Sequence, residues 1–162
     1  MTITFITGAN KSLGFETARR LTEQGHTVLV GARDRTRGEE AATRLGARFV
    51  QIDVTDDDSV AAAAADVAAH EGRVDVLINN AGIPGRFVPA AELTAADAEA
   101  VFGTNVVGLV RVTHAFLPLL RASASPSIVN VSSGVGSFAL SHDPARVEST
   151  LNSPLCGILV SK

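Results

Sequence analysis

Short apolar runs alternate with segments of helical pattern along this chain, and that alternation limits the folds open to it. The runs are rich in Val and Ile and continuously apolar, as strands covered on both faces must be. Strands are predicted at Ile3–Thr7, Thr27–Gly31, Arg48–Ile52, Val74–Ile78 and Ser127–Val131. Helices are predicted at Leu13–Glu23, Arg35–Leu45, Asp57–His70 and Ala95–Leu120. Parallel strands joined by right-handed helical crossovers form an α/β, Rossmann-like doubly wound sheet, whose ligand crevice lies beyond the carboxyl ends of the strands.

Length, charge and cysteine usage narrow the class of protein. A chain of 162 residues predicts a single domain spanning residues 1–162. The net charge of −3 leaves no basic field for nucleic acid, so no nucleic-acid partner is expected. The single cysteine, Cys156, excludes an internal disulfide and fits a reducing, cytoplasmic setting. No membrane partner is expected either, because the apolar stretches are interrupted within about ten residues and a span needs about 20.

Neither a secretory leader nor a metal site is predicted. Met1–Thr7 runs directly into glycine, without the basic start and cleavage site of a signal peptide. The four histidines lack metal-ligand spacing. The acidic trio at residues 56–58 is interpreted as the cap and first turn of a helix rather than as a metal site, since a helix N-terminus favours negative charge.

A glycine turn joins the first predicted strand to the first predicted helix. Glycine lets the backbone approach a phosphate, and the helix N-terminus offers free N–H groups and the positive end of its dipole. Glycines also serve ordinary tight turns, but the strand–turn–helix context favours dinucleotide binding. The expected contacts are Gly8, Asn10, Lys11, Ser12, Leu13 and Gly14.

This turn resembles the Thr-Gly-x-x-x-Gly-x-Gly fingerprint of the short-chain dehydrogenase/reductase family. Gly8 and Gly14 match it, whereas Ser12 stands at a glycine position. Serine adds a Cβ where the chain should be tight. Cofactor affinity is expected to fall unless the φ of Ser12 is negative or its hydroxyl reaches the phosphate.

Further segments resemble the family in the same order, each just past a predicted strand or in the long helix. The resemblance implies that Asp53 and Val54 contact the adenine, and that the tetrapeptide at residues 79–82 lines the cofactor site. The expected contacts in that tetrapeptide are Asn80, Ala81 and Gly82. Taken alone, Asp53 is equally interpretable as a cap and Asn80 as a turn former.

The resemblance also implies catalytic roles. Asn105 would bend a helix and hold a water of the proton relay. Ser133, within residues 129–134, would position the substrate oxygen, although it also reads as a strand terminator. Lys162 would hold the nicotinamide ribose.

The choice of cofactor depends on the end of the second predicted strand. An arginine there accepts the 2′-phosphate of NADP, whereas a carboxylate binds the ribose 2′-hydroxyl of NAD. Arg33 comes first, with Lys11 in the glycine turn as a second cation, so NADP is the predicted cofactor. Asp34 keeps NAD possible.

One departure from the family limits the functional prediction. The family uses a Tyr-x-x-x-Lys motif in which the tyrosine hydroxyl protonates the carbonyl oxygen. This chain has no tyrosine, and Ser161-Lys162 would place Ile158 in the tyrosine position, with Cys156 as a poor thiol substitute. The family also continues beyond the lysine, so the chain is expected to be C-terminally truncated.

Two functions follow from these observations. The first is an NAD(P)(H)-dependent oxidoreductase acting on a small-molecule carbonyl or secondary alcohol. The alternative is a catalytically inactive dinucleotide-binding pseudoenzyme, sensor module or fragment.

Apolar residues on the helix at Val101–Leu120 predict that the chain either associates into a homo-oligomer or is marginally stable and prone to aggregation. One apolar stripe suits packing on the sheet: Phe102, Val106, Leu109, Val112, Phe116 and Leu120. A second set lies partly round the cylinder: Val107, Val110, His114 and Leu117. The strand at Ser127–Val131 is expected to form an exposed sheet edge, which is a further template for association.

Overall fold

The fold is a five-stranded parallel sheet, seen in a computed structural model that describes residues 1–86, 88–134, 139, 143 and 145. The strands are β1 Ile3–Thr7, β2 Thr27–Ala32, β3 Arg48–Gln51, β4 Val76–Asn79 and β5 Ser127–Asn130. They lie in the order β3-β2-β1-β4-β5, and every neighbouring pair is parallel. The predicted doubly wound fold is therefore confirmed, with the strand order reversing between β1 and β4.

Five α-helices connect these strands: α1 Ser12–Glu23, α2 Arg35–Leu45, α3 Asp57–His70, α4 Ala95–Phe102 and α5 Gly108–Arg121. A 3-10 turn occupies Ala90–Glu92 and a π-helical turn occupies Gly103–Val107. The predicted helical character of Ala95–Leu120 is confirmed, and the π-helical turn separates α4 from α5 within it. The predicted bounds of α2 and α3 are confirmed, and the start of β4 lies two residues later than predicted.

Local sequence explains where three of these helices begin. The carboxylate of Asp34 accepts the N–H of Arg37 at 3.0 Å and caps α2. Asp56 accepts the N–H of Ser59 at 2.7 Å and caps α3, as expected for the acidic trio. A reciprocal capping box of Thr94 and Asp97 starts α4.

The chain divides into two compact units. The first comprises residues 1–81 and 108–130, and it holds the whole sheet together with α1, α2, α3 and α5. The second comprises residues 82–107 and the residues after 130, and its described part holds α4 and the π-helical turn. That residues 1–162 form one domain stays a prediction.

The core of the first unit lies under α3 and α5, which pack on each other and on the sheet. The rings of Phe5 in β1 and Phe116 in α5 are 4.5 Å apart between centroids, and both are fully buried. The helices α1 and α2 pack together against β1, β2 and β3. In the second unit, Val101 is buried against Leu93 and Ala98.

The apolar stripe predicted on the long helix is buried over only part of its length. The carboxyl-terminal half of the predicted stripe is buried, as at Val112 and Phe116. In its amino-terminal half, Phe102 is 39% exposed and Val106 is 38% exposed. Val101 and Asn105 are buried instead. The prediction is therefore wrong for Phe102 and Val106, because the apolar contact in the second unit is made by Val101 with Leu93 and Ala98.

The helical stretch Ala95–Arg121 is 27 residues long and contains an 18-residue segment with a mean hydropathy of 1.4, which is the length and apolarity of a membrane span. This corrects the expectation that every apolar stretch is too short. Core helices have the same composition as membrane spans. The part of this stretch that belongs to the first unit packs Val112, Phe116 and Leu119 into that unit's core.

Among the strands of the described residues, β5 lies at the edge of the sheet, as predicted. All four of its residues are exposed, including Ile128 and Val129.

Candidate functional site

The glycine turn after β1 has no room for side chains at two positions. Gly8 has a φ of +68°, and a Cβ there would lie 3.0 Å from the Cα of Ala81. A Cβ at Gly14 would lie 2.5 Å from the carbonyl oxygen of Gly8 and from Nδ2 of Asn80. These glycines therefore let β1, α1 and the end of β4 meet at the point where the strand order reverses.

Ser12 adopts the conformation that a serine tolerates poorly. Its φ is +49°, and among the described residues it is the one non-glycine residue with positive φ. The first condition for retaining affinity, a negative φ, is therefore not met. The residue is exposed at the start of α1.

The N-terminus of α1 differs from the helix starts described above. Its N-cap residue, Lys11, makes no side-chain cap hydrogen bond, and its first turn contains no acidic residue. The first backbone bond of the helix is that of the Phe15 N–H to the Lys11 carbonyl, at 3.2 Å. This end therefore offers N–H groups and a positive dipole end to an external anion.

Asn80 ties the end of β4 to the glycine turn. Its Nδ2 donates to the carbonyl oxygens of Thr7 at 2.9 Å and Gly8 at 3.2 Å. The Thr7 hydroxyl oxygen in turn accepts the N–H groups of Asn80 and Ala81, each at 3.0 Å. Sequence reasoning did not single out Thr7 as a site residue, although its place at the end of a strand beside the glycine turn was an available signal.

The end of β2 carries exposed arginines. The side chain of Arg33 is 78% exposed, and its Nη1 lies 3.7 Å from Oδ2 of Asp53. Asp34 is engaged as the cap of α2 and lies 3.7 Å from Nε of Arg37. Arg35 pairs with Glu39 and with the side chain of Gln51.

Asp53 is held in a turn at the end of β3. Its Oδ1 accepts the N–H of Thr55 at 2.9 Å and the Thr55 hydroxyl at 2.7 Å. Burial opposes ionisation, but these bonds and the charges of Arg33 and Arg111 outweigh it and lower the pKa of Asp53. The next residue, Val54, is buried.

At the carboxyl ends of β4 and β5, Asn79 joins the two strands. Its Nδ2 donates to the side-chain oxygens of Thr113, at 3.1 Å, and Asn130, at 2.9 Å. The strand that leads to the serine segment at residues 132–133 is therefore tied to β4, and the same Asn79 amide ties β4 to α5.

Within the second unit, the side chain of Asn105 lies in the π-helical turn and is 6% exposed. Its amide pairs with both backbone groups of Ile83. Arg86 lies 3.2 Å from Asp97 at the start of α4.

Ser133 is half-buried, three residues beyond the end of β5. Cys156, Ile158 and Lys162, on which the proton source and the ribose contact depend, lie outside the described residues.

A parallel sheet of this order with a glycine turn at its point of reversal defines the class of doubly wound, nucleotide-binding α/β proteins. The sequence profile described as short chain dehydrogenase matches residues 2–145. The chain thus belongs to the short-chain dehydrogenase family.

Individual relatives agree with this assignment. A short-chain dehydrogenase from Penicillium roqueforti is 42% identical over 151 residues, covering 88% of this chain and 60% of the relative. The structure of salutaridine reductase from Papaver somniferum has a TM-score of 0.78 at 32% identity, covering 86% of this chain and 60% of that one. A short chain dehydrogenase from Shigella flexneri complexed with NADP has a TM-score of 0.76 at 26% identity, covering 83% and 60%. The chain spans about 60% of the length of each.

Proposed function

We propose that the chain is the cofactor-binding part of an NAD(P)(H)-dependent oxidoreductase that acts on a small-molecule carbonyl or secondary alcohol. One observation carries the proposal. The N-terminus of α1 has no side-chain cap and lies behind a glycine turn at the reversal of strand order, whereas α2, α3 and α4 are capped by their own chain. A pyrophosphate would complete this helix start.

The residues present fit a dinucleotide at this edge of the sheet. Gly8 and Gly14 allow the close approach of backbone, and the turn between them would contact the pyrophosphate through Asn10, Lys11, Ser12 and Leu13. Asp53 and Val54 would contact the adenine. Asn80, Ala81 and Gly82 would line the site after β4, with Asn80 acting by holding the glycine turn in place.

NADP is the favoured cofactor because, of the two candidate residues after β2, Asp34 is already engaged as a helix cap and Arg33 is exposed. The Asp34 carboxylate caps α2, and hydrogen bonding to a ribose would compete with that bond. Arg33 is largely exposed and makes only a long ion pair, so its guanidinium can reach a 2′-phosphate. The relative complexed with NADP supports the same choice.

In the proposed reaction the nicotinamide ring, when bound, supplies or accepts the hydride. The Ser133 hydroxyl would donate a hydrogen bond to the substrate oxygen and fix its position. Asn105 would hold a relay water, and Lys162 would hold the nicotinamide ribose. With no tyrosine in the chain, the proton source is open, which leaves the inactive dinucleotide-binding pseudoenzyme, sensor or fragment as the alternative function.

Titration with NADPH, followed by nucleotide fluorescence, tests the binding half of the proposal. The purified chain should bind NADPH, and Gly14→Val should abolish binding, because its side chain would collide with the Gly8 carbonyl and Asn80. Gly25→Val is the control, because no atom lies within 4 Å of the place that a Cβ would occupy at Gly25. Gly25 has a positive φ, so some loss of stability is expected in this variant. A wild-type chain that binds no dinucleotide overturns the proposal.

Turnover tests the catalytic half. NADPH oxidation across a panel of ketones and aldehydes distinguishes an enzyme from the alternative. Binding without turnover, unchanged by Ile158→Tyr, favours the pseudoenzyme.

We also infer that the chain forms a homo-oligomer in the cytoplasm. Val107 in the second unit and Val110 in the first are each about half exposed or more. Exposed apolar side chains of this size support association with a second copy. The single cysteine supports a reducing compartment.

A further inference from the structure

A guanidinium from α5 reaches across to the turn between β3 and α3. Nη1 of Arg111 donates to the carbonyl oxygen of Val54 at 2.7 Å, and its Nε donates to the carboxylate of Asp57. The Arg111 side chain is only 20% exposed, whereas that of Asp57 is 83% exposed. The bond to Val54 is therefore the sheltered one, and the ion pair with Asp57 lies in solvent, where such pairs contribute little.

The backbone of α5 also lies close to Val54. A Cβ at Gly108 would lie 2.9 Å from the carbonyl oxygen of Val54 and 3.0 Å from its Cγ2. Gly108 and Arg111 are one helical turn apart, so α5 touches Val54 once through its backbone and once through a charged side chain.

The other bonds of this turn do not reach α5. The N–H of Asp53 donates to the Ser59 hydroxyl at 2.8 Å, and Thr55 donates to the Asp53 carboxylate. These bonds shape the turn and join it to α3. Among the described hydrogen bonds, those of Arg111 join the turn to α5, so Arg111 sets where the turn lies relative to α5.

We propose that Arg111 is a positioning residue for the adenosine end of the cofactor, acting through Val54 and Asp53 without touching the nucleotide. The inference rests on the proposed dinucleotide site. Its further consequence concerns Arg33, whose partner in the described structure is the Asp53 carboxylate. If the turn were released from α5, the predicted adenine contacts Asp53 and Val54 would be misplaced. The Asp53 carboxylate would also lose its position facing Arg33, the residue predicted to bind the 2′-phosphate.

Binding of two probes tests this role. Arg111→Met should weaken NADPH and adenosine 2′,5′-bisphosphate by the same factor, about tenfold, because binding must then order a turn that has lost its charged hydrogen bond to α5. Asp57→Asn, which removes the exposed ion pair and leaves the Val54 bond, should change either affinity by less than about twofold. Unchanged affinities in Arg111→Met, or an equal loss in Asp57→Asn, would overturn the assignment.

Amide exchange separates this inference from the proposed function. Arg111→Met should speed exchange of the described amides at residues 53–55 more than those of β1, whether or not nucleotide binds. Unchanged exchange there overturns the inference, while a wild type that binds neither probe overturns the proposed function alone. If Arg111→Met does not fold, Arg111→Lys keeps the charge and one donor and should show a smaller shift of the same two readouts.

Discussion

The side chain of Asn105 pairs with Ile83 as one strand pairs with another. Its Oδ1 accepts the Ile83 N–H and its Nδ2 donates to the Ile83 carbonyl oxygen, each at 2.9 Å. The pairing uses both halves of an amide, and it is buried. A side chain that offers only acceptors cannot replace it.

Asn105→Asp should therefore destabilise the second unit. The carboxylate keeps the bond from the Ile83 N–H but faces the Ile83 carbonyl without a proton, at a cost of about 1–3 kcal/mol. Amide exchange at Ile83 should accelerate by tenfold or more, and Asn105→Ala should be less damaging at pH 7 because it buries no charge. Equal exchange in Asn105→Asp and the wild type would contradict this explanation.

Ser12→Gly should raise the free energy of unfolding by about 1 kcal/mol. The φ of +49° is unfavourable for any residue with a Cβ, and glycine removes that cost. Ser12→Ala is the matched control, since it loses the hydroxyl but keeps the Cβ, and it should show no gain. If the hydroxyl reaches the phosphate, both variants should also bind NADPH more weakly. Equal stability of the glycine and alanine variants in denaturant unfolding would be incompatible with backbone strain.

Arg33→Ala should weaken NADPH far more than NADH. A charge-assisted hydrogen bond to the 2′-phosphate contributes about 1.5–3 kcal/mol, or roughly ten- to a hundredfold in the dissociation constant. Arg35→Ala is the control, because Arg35 is a similarly exposed cation already paired with Glu39 and Gln51. An equal loss for both nucleotides, or a wild type that prefers NADH, would refute the assignment.

Asp75 should make stability depend on acid pH. Its carboxylate accepts the Ile3 N–H at 2.7 Å, the Ser123 hydroxyl at 2.6 Å and Nε of Arg73 at 3.0 Å. Desolvation would raise its pKa, but these bonds outweigh it and lower the pKa below the ordinary 3.8. The folded state thus binds this proton less readily than the unfolded state, and the stabilisation present above pH 3.8 is lost as the pH falls through the folded pKa.

Asp75→Asn tests that sign. At pH 7 it should lower the free energy of unfolding by about 1–2 kcal/mol, because one acceptor oxygen is lost. The difference from the wild type should shrink as denaturant unfolding is repeated below about pH 4. Two parallel stability curves across the acid range would exclude the carboxylate as the cause.

The wild-type chain should associate as its concentration rises. Val110→Lys should reduce this association, since it places a charge where an apolar side chain is 59% exposed. Leu13→Lys is the matched control at the same exposure on α1, and it should leave association unchanged. Sedimentation velocity over a concentration series measures both, and a wild type that stays monomeric throughout would contradict the inference.

Local pattern in the sequence was sufficient for most of the fold. The β-branched runs and the caps Asp34 and Asp56 depend on neighbours within one or two turns, so strands and helix starts can be predicted from them. The glycine turn after β1 follows from the same short-range signals.

Tertiary structure alone decided how the site is held together. Asn80 reaches the Gly8 carbonyl across 72 positions, Arg111 reaches Val54 across 57, and Asn105 reaches Ile83 across 22. Asn105 is buried in the π-helical turn, whereas Phe102 and Val106, which were predicted to be buried, are exposed. Periodicity reports which face of an element is buried, but the partner of a polar side chain depends on which strand ends the fold brings together, and that is set by the packing of the whole sheet.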